Sequence, residues 1–230
     1  VGEIWGIGRR LAPKLQQYGI QTVYDLTCAS PIIMRNKFSV VMEKIIRELN
    51  GIACIELEEV AQPKKEIVCS RSFGVRVTQL SESDEAVSLY IRRAAEKLRR
   101  QHSYAGVVSV FINTSRFNKP QENYWNETTI PLPTHTDSTI LLTKTALWGL
   151  RRIYRCGFAY QKAGVRLSGL VNAQTRQADL FGLLPKGYTS QELIEVMDKI
   201  NNRMGGGTIR LTSEGIQQNW MMKRERISQE

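Results

Sequence analysis

The sequence predicts an α+β protein: a small all-α helix-hairpin-helix domain, then a βαββαβ unit forming a four-stranded sheet with two helices on one face, then a short C-terminal extension. Three observations predict it. A Gly6-Ile7-Gly8 turn is flanked by apolar residues at 1, 4, 7, 11, 12 and 15, a helical spacing. From Glu66 onward the apolar period changes from about 3.6 to 2. The segments beyond it run strand, helix, strand, strand, helix, strand, an order that closes as one sheet with both helices on the same side. The boundaries fall at 1–60, 61–173, a linker at 174–189, and 190–230.

In the first domain, glycines let the turn adopt backbone conformations closed to other residues. The helix after it is expected to be short or kinked at Pro13. A second helix spans Thr22 to Cys28 with Val23 and Leu26 inward, and Ser30-Pro31 opens a third. Phe38, Val41, Met42, Ile45, Ile46 and Leu49 then recur at helical spacing until Asn50-Gly51 stops them. Glu56 to Lys65 reads as a tether.

In the second domain, Ile67, Cys69, Phe73, Val75 and Val77 form the buried face of a first strand. A helix from about Ser83 turns Val87, Tyr90, Ile91, Ala94 and Leu98 inward, while Arg92, Arg93, Lys97, Arg99 and Arg100 line its other side. Two strands follow, Gly106 to Ser115 and Tyr124 to Leu132, the latter ending at an edge because of Pro131 and Pro133. A helix from Ser138 to Arg155 carries Leu142, Ala146, Leu150 and Ile153 on one stripe, and the last strand spans Gln161 to Val171. The extension reads as a helix from Ser190 to Arg203, three glycines, a short strand from Thr208 to Leu211, and the basic end Lys223-Arg224-Glu225-Arg226.

Lysines and arginines number 32 against 22 acids, a formal charge of +10, which points to a phosphate-rich partner. The longest apolar run, Ala105 to Ile112, has strand length, so neither a membrane-spanning helix nor a membrane partner is expected, and a cytoplasmic location is. The chain opens at Val1 inside a structured motif, as a piece of a longer protein would. Cys28, Cys54, Cys69 and Cys156 lie far apart, and His102 and His135 have no neighbouring ligand, so disulfide scaffolds, zinc and cysteine catalysis lack support. Each cysteine reads as a small buried hydrophobe. Asp25, Asp84 and Glu85 are single acids near helix starts, where capping accounts for them, so no catalytic residue, metal site or cofactor is assigned.

Two surfaces and one peptide carry the functional reading. The Gly6 and Gly8 turn leads into a helix whose free N–H groups would meet a DNA phosphate, with Arg9, Arg10 and Lys14 adding charge. On the sheet face away from the helices, the outer strands bring Ser70, Ser72 and Arg76 beside Lys162, Arg166 and Ser168, a set suited to phosphate oxygens. Gln177, Leu180 and Phe181, spaced Gln-x-x-Leu-Phe in the linker, resemble the bacterial sliding-clamp binding peptide, in which two apolar anchors fill a pocket.

Val1 to Leu15, Glu66-Ile-Val-Cys-Ser-Arg-Ser-Phe-Gly74, Arg93-Ala-Ala-Glu-Lys-Leu98, Tyr160-Gln-Lys-Ala-Gly-Val165, Gln177 to Phe181 and Gly215-Ile-Gln-Gln-Asn-Trp220 span nearly the whole chain. In these segments it resembles the C-terminal portion of the UmuC (ImpB/MucB/SamB) group of Y-family translesion DNA polymerases. The resemblance implies a thumb, a little finger that grips primer-template DNA, and an extension typical of the group. It further implies a role in SOS repair and mutagenesis, with a UmuD-type subunit and RecA as partners. The Mg2+-binding palm of the parent polymerase would lie upstream, leaving this portion inactive alone. A self-standing nucleic-acid-binding or clamp-interacting accessory protein is the alternative.

Overall fold

Short apolar stripes, each closed by a cap or a breaker, account for the first unit of the chain. A computed structural model describes residues 1–54, 63–117, 119, 122–173 and 191–222, and divides the chain into two units, Val1–Gln62 and Pro63–Glu230. In the first, α1 (Ala12–Gln17) carries Pro13 in its opening turn, where a missing N–H breaks nothing, so the helix is short without a kink. α2 (Val23–Cys28) opens on a reciprocal cap: Asp25 N–H donates to the Thr22 hydroxyl and the Asp25 carboxylate accepts from Thr22 N–H. Those donors, the Thr22 amide foremost, hold the Asp25 carboxyl below its ordinary value. α3 (Pro31–Lys37) and α4 (Val40–Leu49) complete the unit around Ile7, Leu15, Ile20, Leu26, Met34, Met42 and Ile46. Val23 and Val41, expected inward, are exposed, because six- and ten-residue helices in so small a unit bury only a narrow stripe.

The second unit holds β1 (Ile67–Val77), α5 (Leu80–Arg100), β2 (Ser103–Asn113), β3 (Trp125–Thr136), α6 (Thr139–Ile153) and β4 (Tyr160–Asn172). The sheet order is β1-β4-β2-β3, with every neighbouring pair antiparallel. Val108, Val110, Ile112, Ala163, Val165 and Leu167 are fully buried together with Leu98, Leu142 and Leu150 of α5 and α6, so both helices cover one face. β3 runs through Pro131 and Pro133 to Thr136 rather than stopping at Leu132, since an edge strand tolerates residues without an N–H. Val75 was expected in the core and is 66% exposed. The pairing of β1 with β4 slips between Ser72 and Val77, and that irregularity turns Val75 outward.

The extension is part of this unit. α7 (Gln191–Met204) and a 3-10 turn at Thr212–Glu214 lead to Trp220, which is 3% exposed and stands edge-on to Phe73 and Tyr90 with ring centroids 6.0 and 6.1 Å away. Its indole N–H donates to Glu85 at 3.1 Å, and Gly74 N–H donates to the Trp220 carbonyl at 2.9 Å. A Cβ on Gly74 would lie 2.7 Å from the Met221 carbonyl, so only glycine permits this approach. Arg92, expected on a solvated side, is buried: Nε donates to the two Glu214 oxygens at 2.8 and 3.0 Å, and the guanidinium also pairs with Glu96. Arg99 binds Asp198 through two hydrogen bonds of 2.6 and 2.8 Å. Burial pushes the Glu214 carboxyl up against the pull of Arg92, and burial likewise pushes the Tyr90 hydroxyl up to about 12.

Several smaller expectations change for local reasons. Asp84 and Glu85 do not cap α5; Asp84 pairs with Arg151 at 3.4 Å and Glu85 receives Trp220. Thr208 to Leu211 form no strand, because the Asn201 side-chain amide bonds both the N–H and the carbonyl of Ile209, each at 2.9 Å. Of the four cysteines only Cys69 is buried, while Cys28, at the end of α2, and Cys156, in a turn, are exposed. Lys223, Arg224, Glu225 and Arg226 lie outside the described residues.

Candidate nucleic-acid interface

In the first unit the segment ahead of Gly6 is a run of turns, held by Ile4 N–H to the Val1 carbonyl and Ile7 N–H to the Ile4 carbonyl, so only the turn and the following helix of the expected hairpin are present. Gly6 has φ 92°, a conformation that needs glycine, and a Cβ there would lie 3.1 Å from Ile45 Cδ1. Gly8 has neither constraint; a Cβ there meets open space. The expected free amides are largely spent, since Leu11 and Ala12 both donate to the Gly8 carbonyl and Pro13 has no N–H. Arg9, Arg10 and Lys14 are exposed, and Lys14 borders a groove of about 430 Å³ with Gly6, Tyr18, Lys37 and Phe38. Charge, not a helix end, is what this surface offers an anion.

In the second unit the sheet face opposite the helices carries the expected set in part. Ser72 stands directly across from Lys162, and Ser70 across from Gly164. Ser168 stands across from Val107 on β2. All three serines and Lys162 are half-buried. Arg166 lies opposite Val68 and Ser109 but is not a free cation: it reaches over β2 to pair with Glu127 on β3. That acid was not foreseen, because a β3 residue enters the same face only once the order β4-β2-β3 is known. Arg76 is exposed in the stretch where β1 leaves its ladder, so the register does not seat it beside Lys162 and Arg166. The same face carries Ser109 hydrogen-bonded to Thr129 at 2.9 Å, and two aromatics, Phe111 and Trp125. The alternation of β2 alone would have found Phe111, which shares its parity with Ser109 and not with buried Val110. Gln177, Leu180 and Phe181 lie outside the described residues.

Among the described residues no group of three or more His, Cys, Asp or Glu side chains is placed to hold a metal ion. No described helix is long and apolar enough to cross a membrane.

A small helical unit followed by this four-stranded sheet, with serines and Lys162 on the face away from the helices, is the architecture to be placed, and comparison with known families supplies the class. Residues 64–180 match the impB/mucB/samB family C-terminal domain, and the chain belongs to that family. Residues 191–230 match a domain of unknown function. In particular, the chain is 43% identical to "Protein UmuC" of Salmonella typhimurium over 99% of its own length and 54% of that protein, and 41% identical to "Protein SamB" of the same organism over the same shares. It thus spans about half the length of these relatives. Among solved structures, a Y-family DNA polymerase chimera matches with 16% identity and a TM-score of 0.47, covering 75% of this chain and 47% of that one.

Proposed function

We propose that this chain grips primer-template DNA as the non-catalytic thumb and little-finger part of an error-prone translesion polymerase, acting in SOS repair and mutagenesis in the cytoplasm. Family membership supports the reading, and one observation carries it: Lys162 faces Ser72 across the ladder, half-buried on the sheet face opposite α5 and α6. Small hydroxyls and cations on a flat face bind phosphate oxygens without reading sequence. Binding of labelled primer-template DNA should weaken steadily with salt, and Lys162→Ala should lower the salt slope by about 1. Arg9→Ala with Arg10→Ala should weaken binding separately. Salt-independent binding, or no binding, refutes the grip.

In the same reading Gln177, Leu180 and Phe181 dock the polymerase on the bacterial sliding clamp, and a UmuD-type subunit and RecA are its further partners. The support for the clamp is the spacing Gln-x-x-Leu-Phe between the sheet and α7. Leu180→Ala with Phe181→Ala should abolish clamp binding while DNA affinity and melting temperature hold, since two pocket anchors supply about 2 kcal/mol or more each. Unchanged clamp affinity, or a large fall in stability, removes the motif.

A further inference from the structure

Phe111 and Trp125 are aromatic side chains that the register places on the free sheet face, and phosphate binding does not use them. A Cβ on Gly164 would lie 2.3 Å from Phe111 Cζ and 2.4 Å from the Ser70 Cβ. The tip of the Phe111 ring therefore lies across β4, directly over Gly164 and reaching toward Ser70, a placement that any side chain at 164 would block. On β4 this ring is flanked on the same face by Lys162 and Arg166, each two residues from Gly164 and so roughly 6.7 Å along the strand. One row over, Trp125 shares a cross-strand line with Asn113, Lys162 and Ser72, and is 66% exposed. An indole so exposed on a flat sheet adds little to the fold and offers an aromatic face to a ligand.

The geometry points to a stacking platform: Trp125 and Phe111 take unpaired bases while Lys162 holds the adjoining phosphate. This rests on the proposed DNA grip and narrows its substrate to DNA with a single-stranded stretch. The chemistry separates the two kinds of DNA. Within a duplex each base is stacked on its neighbours and offers only its edge in a groove, whereas an unpaired base presents a π-face that any aromatic can receive, whatever its sequence. Glu127 sharpens the choice. By neutralising Arg166 it leaves Lys162, on the Trp125 row, as the cation of the sheet face nearest the exposed indole.

The full chain is titrated with dye-labelled oligothymidylate and, at the same salt, with a blunt duplex. Trp125→Ala should weaken the single strand at least about fivefold, the loss that one stacked base represents, and leave the duplex within about twofold. Trp125→Phe should restore most of the loss, and Phe111→Leu, which keeps apolar bulk without a ring, should behave like Trp125→Ala. If both aromatic variants bind oligothymidylate like the unaltered chain while Lys162→Ala weakens both probes, the platform is overturned and the DNA grip stands. Equal losses on both probes also overturn it. Failure of the unaltered chain to bind either probe overturns the grip and the platform together.

Discussion

Arg92→Met tests how the extension is held. Arg92 and Glu214 side chains are 6% and 0% exposed, so removing the guanidinium strands a carboxylate where water does not reach. The cheapest escape is a proton. Relative to an ordinary value of 4.5, protonation at pH 7 costs about 3.4 kcal/mol at 1.36 kcal/mol per unit. The sign follows from linkage: without Arg92 the folded-state pKa rises further above the unfolded one, so the group's contribution is fully present below about pH 4.5 and is lost as pH rises through the folded value. The variant's deficit should therefore be at most about 3.4 kcal/mol at pH 7, because the raised Glu214 carboxyl of the unaltered chain already carries part of that cost, and under about 1 kcal/mol at pH 5. For a chain of this size that ceiling corresponds to a fall of roughly 7–14 °C in melting temperature at pH 7. Glu96, with 19% of its side chain exposed, stays close enough to water to lose its partner at little cost. Melting curves of the unaltered chain, Arg92→Met, and Arg92→Met with Glu214→Gln at both pH values check the argument. The double variant should regain most of the loss, because its buried amide carries no charge. A deficit that is equal at pH 5 and pH 7, or a double variant worse than the single one, refutes it.

Two glycine predictions accompany it. Gly6→Ala forces a side chain into the left-handed region and should cost about 1–2 kcal/mol, whereas Gly8→Ala should fall within about 0.5 kcal/mol of the unaltered chain; equal effects in chemical denaturation would show that the turn is not what fixes Gly6. Gly74→Ala should push Met221 and Met222 off β1 and let water reach Trp220, seen as a red shift and faster quenching of indole fluorescence; an unchanged spectrum would mean the strand accommodates a Cβ.

What the sequence disclosed of this fold follows the range of each signal. The 2-residue period of β4 and the stripe of α6 are local, so Val165 and Leu150 could be placed in the core by counting alone. Val75 obeys the same count and fails it, since the slip in β1 depends on β4, far along the chain. The free face was legible for Ser72 and Lys162, which lie in the regular stretch of the β1–β4 ladder before the slip, and misleading for Arg166, whose partner Glu127 arrives from a strand two places away in the sheet. Arg92 and Arg99 looked like a solvated basic side for a related reason: their acids, Glu214 and Asp198, come from beyond the linker, and no periodicity reports a pairing at that distance. Phe111 was readable but is informative only beside Gly164, whose lack of a Cβ becomes meaningful once β2 and β4 are neighbours.

The buried contact between Arg92 and Glu214 also sets a timetable for biosynthesis. Those residues are 122 positions apart, and a ribosome adding about 5–20 residues per second needs roughly 6–24 s between them. During that interval α5 is already made, while the acids that neutralise Arg92 and Arg99 from the extension, and the indole that covers Tyr90, do not yet exist. The helical unit at the N-terminus, whose core closes by Ile46, has no such delay. The nascent sheet unit thus waits with a basic helix face uncovered near ribosomal RNA, and the edge of β1 at Gly74 stays open to strand pairing until Trp220 emerges. Slow codons or a translational pause between positions 173 and 214 would lengthen the time this unit is exposed to aggregation.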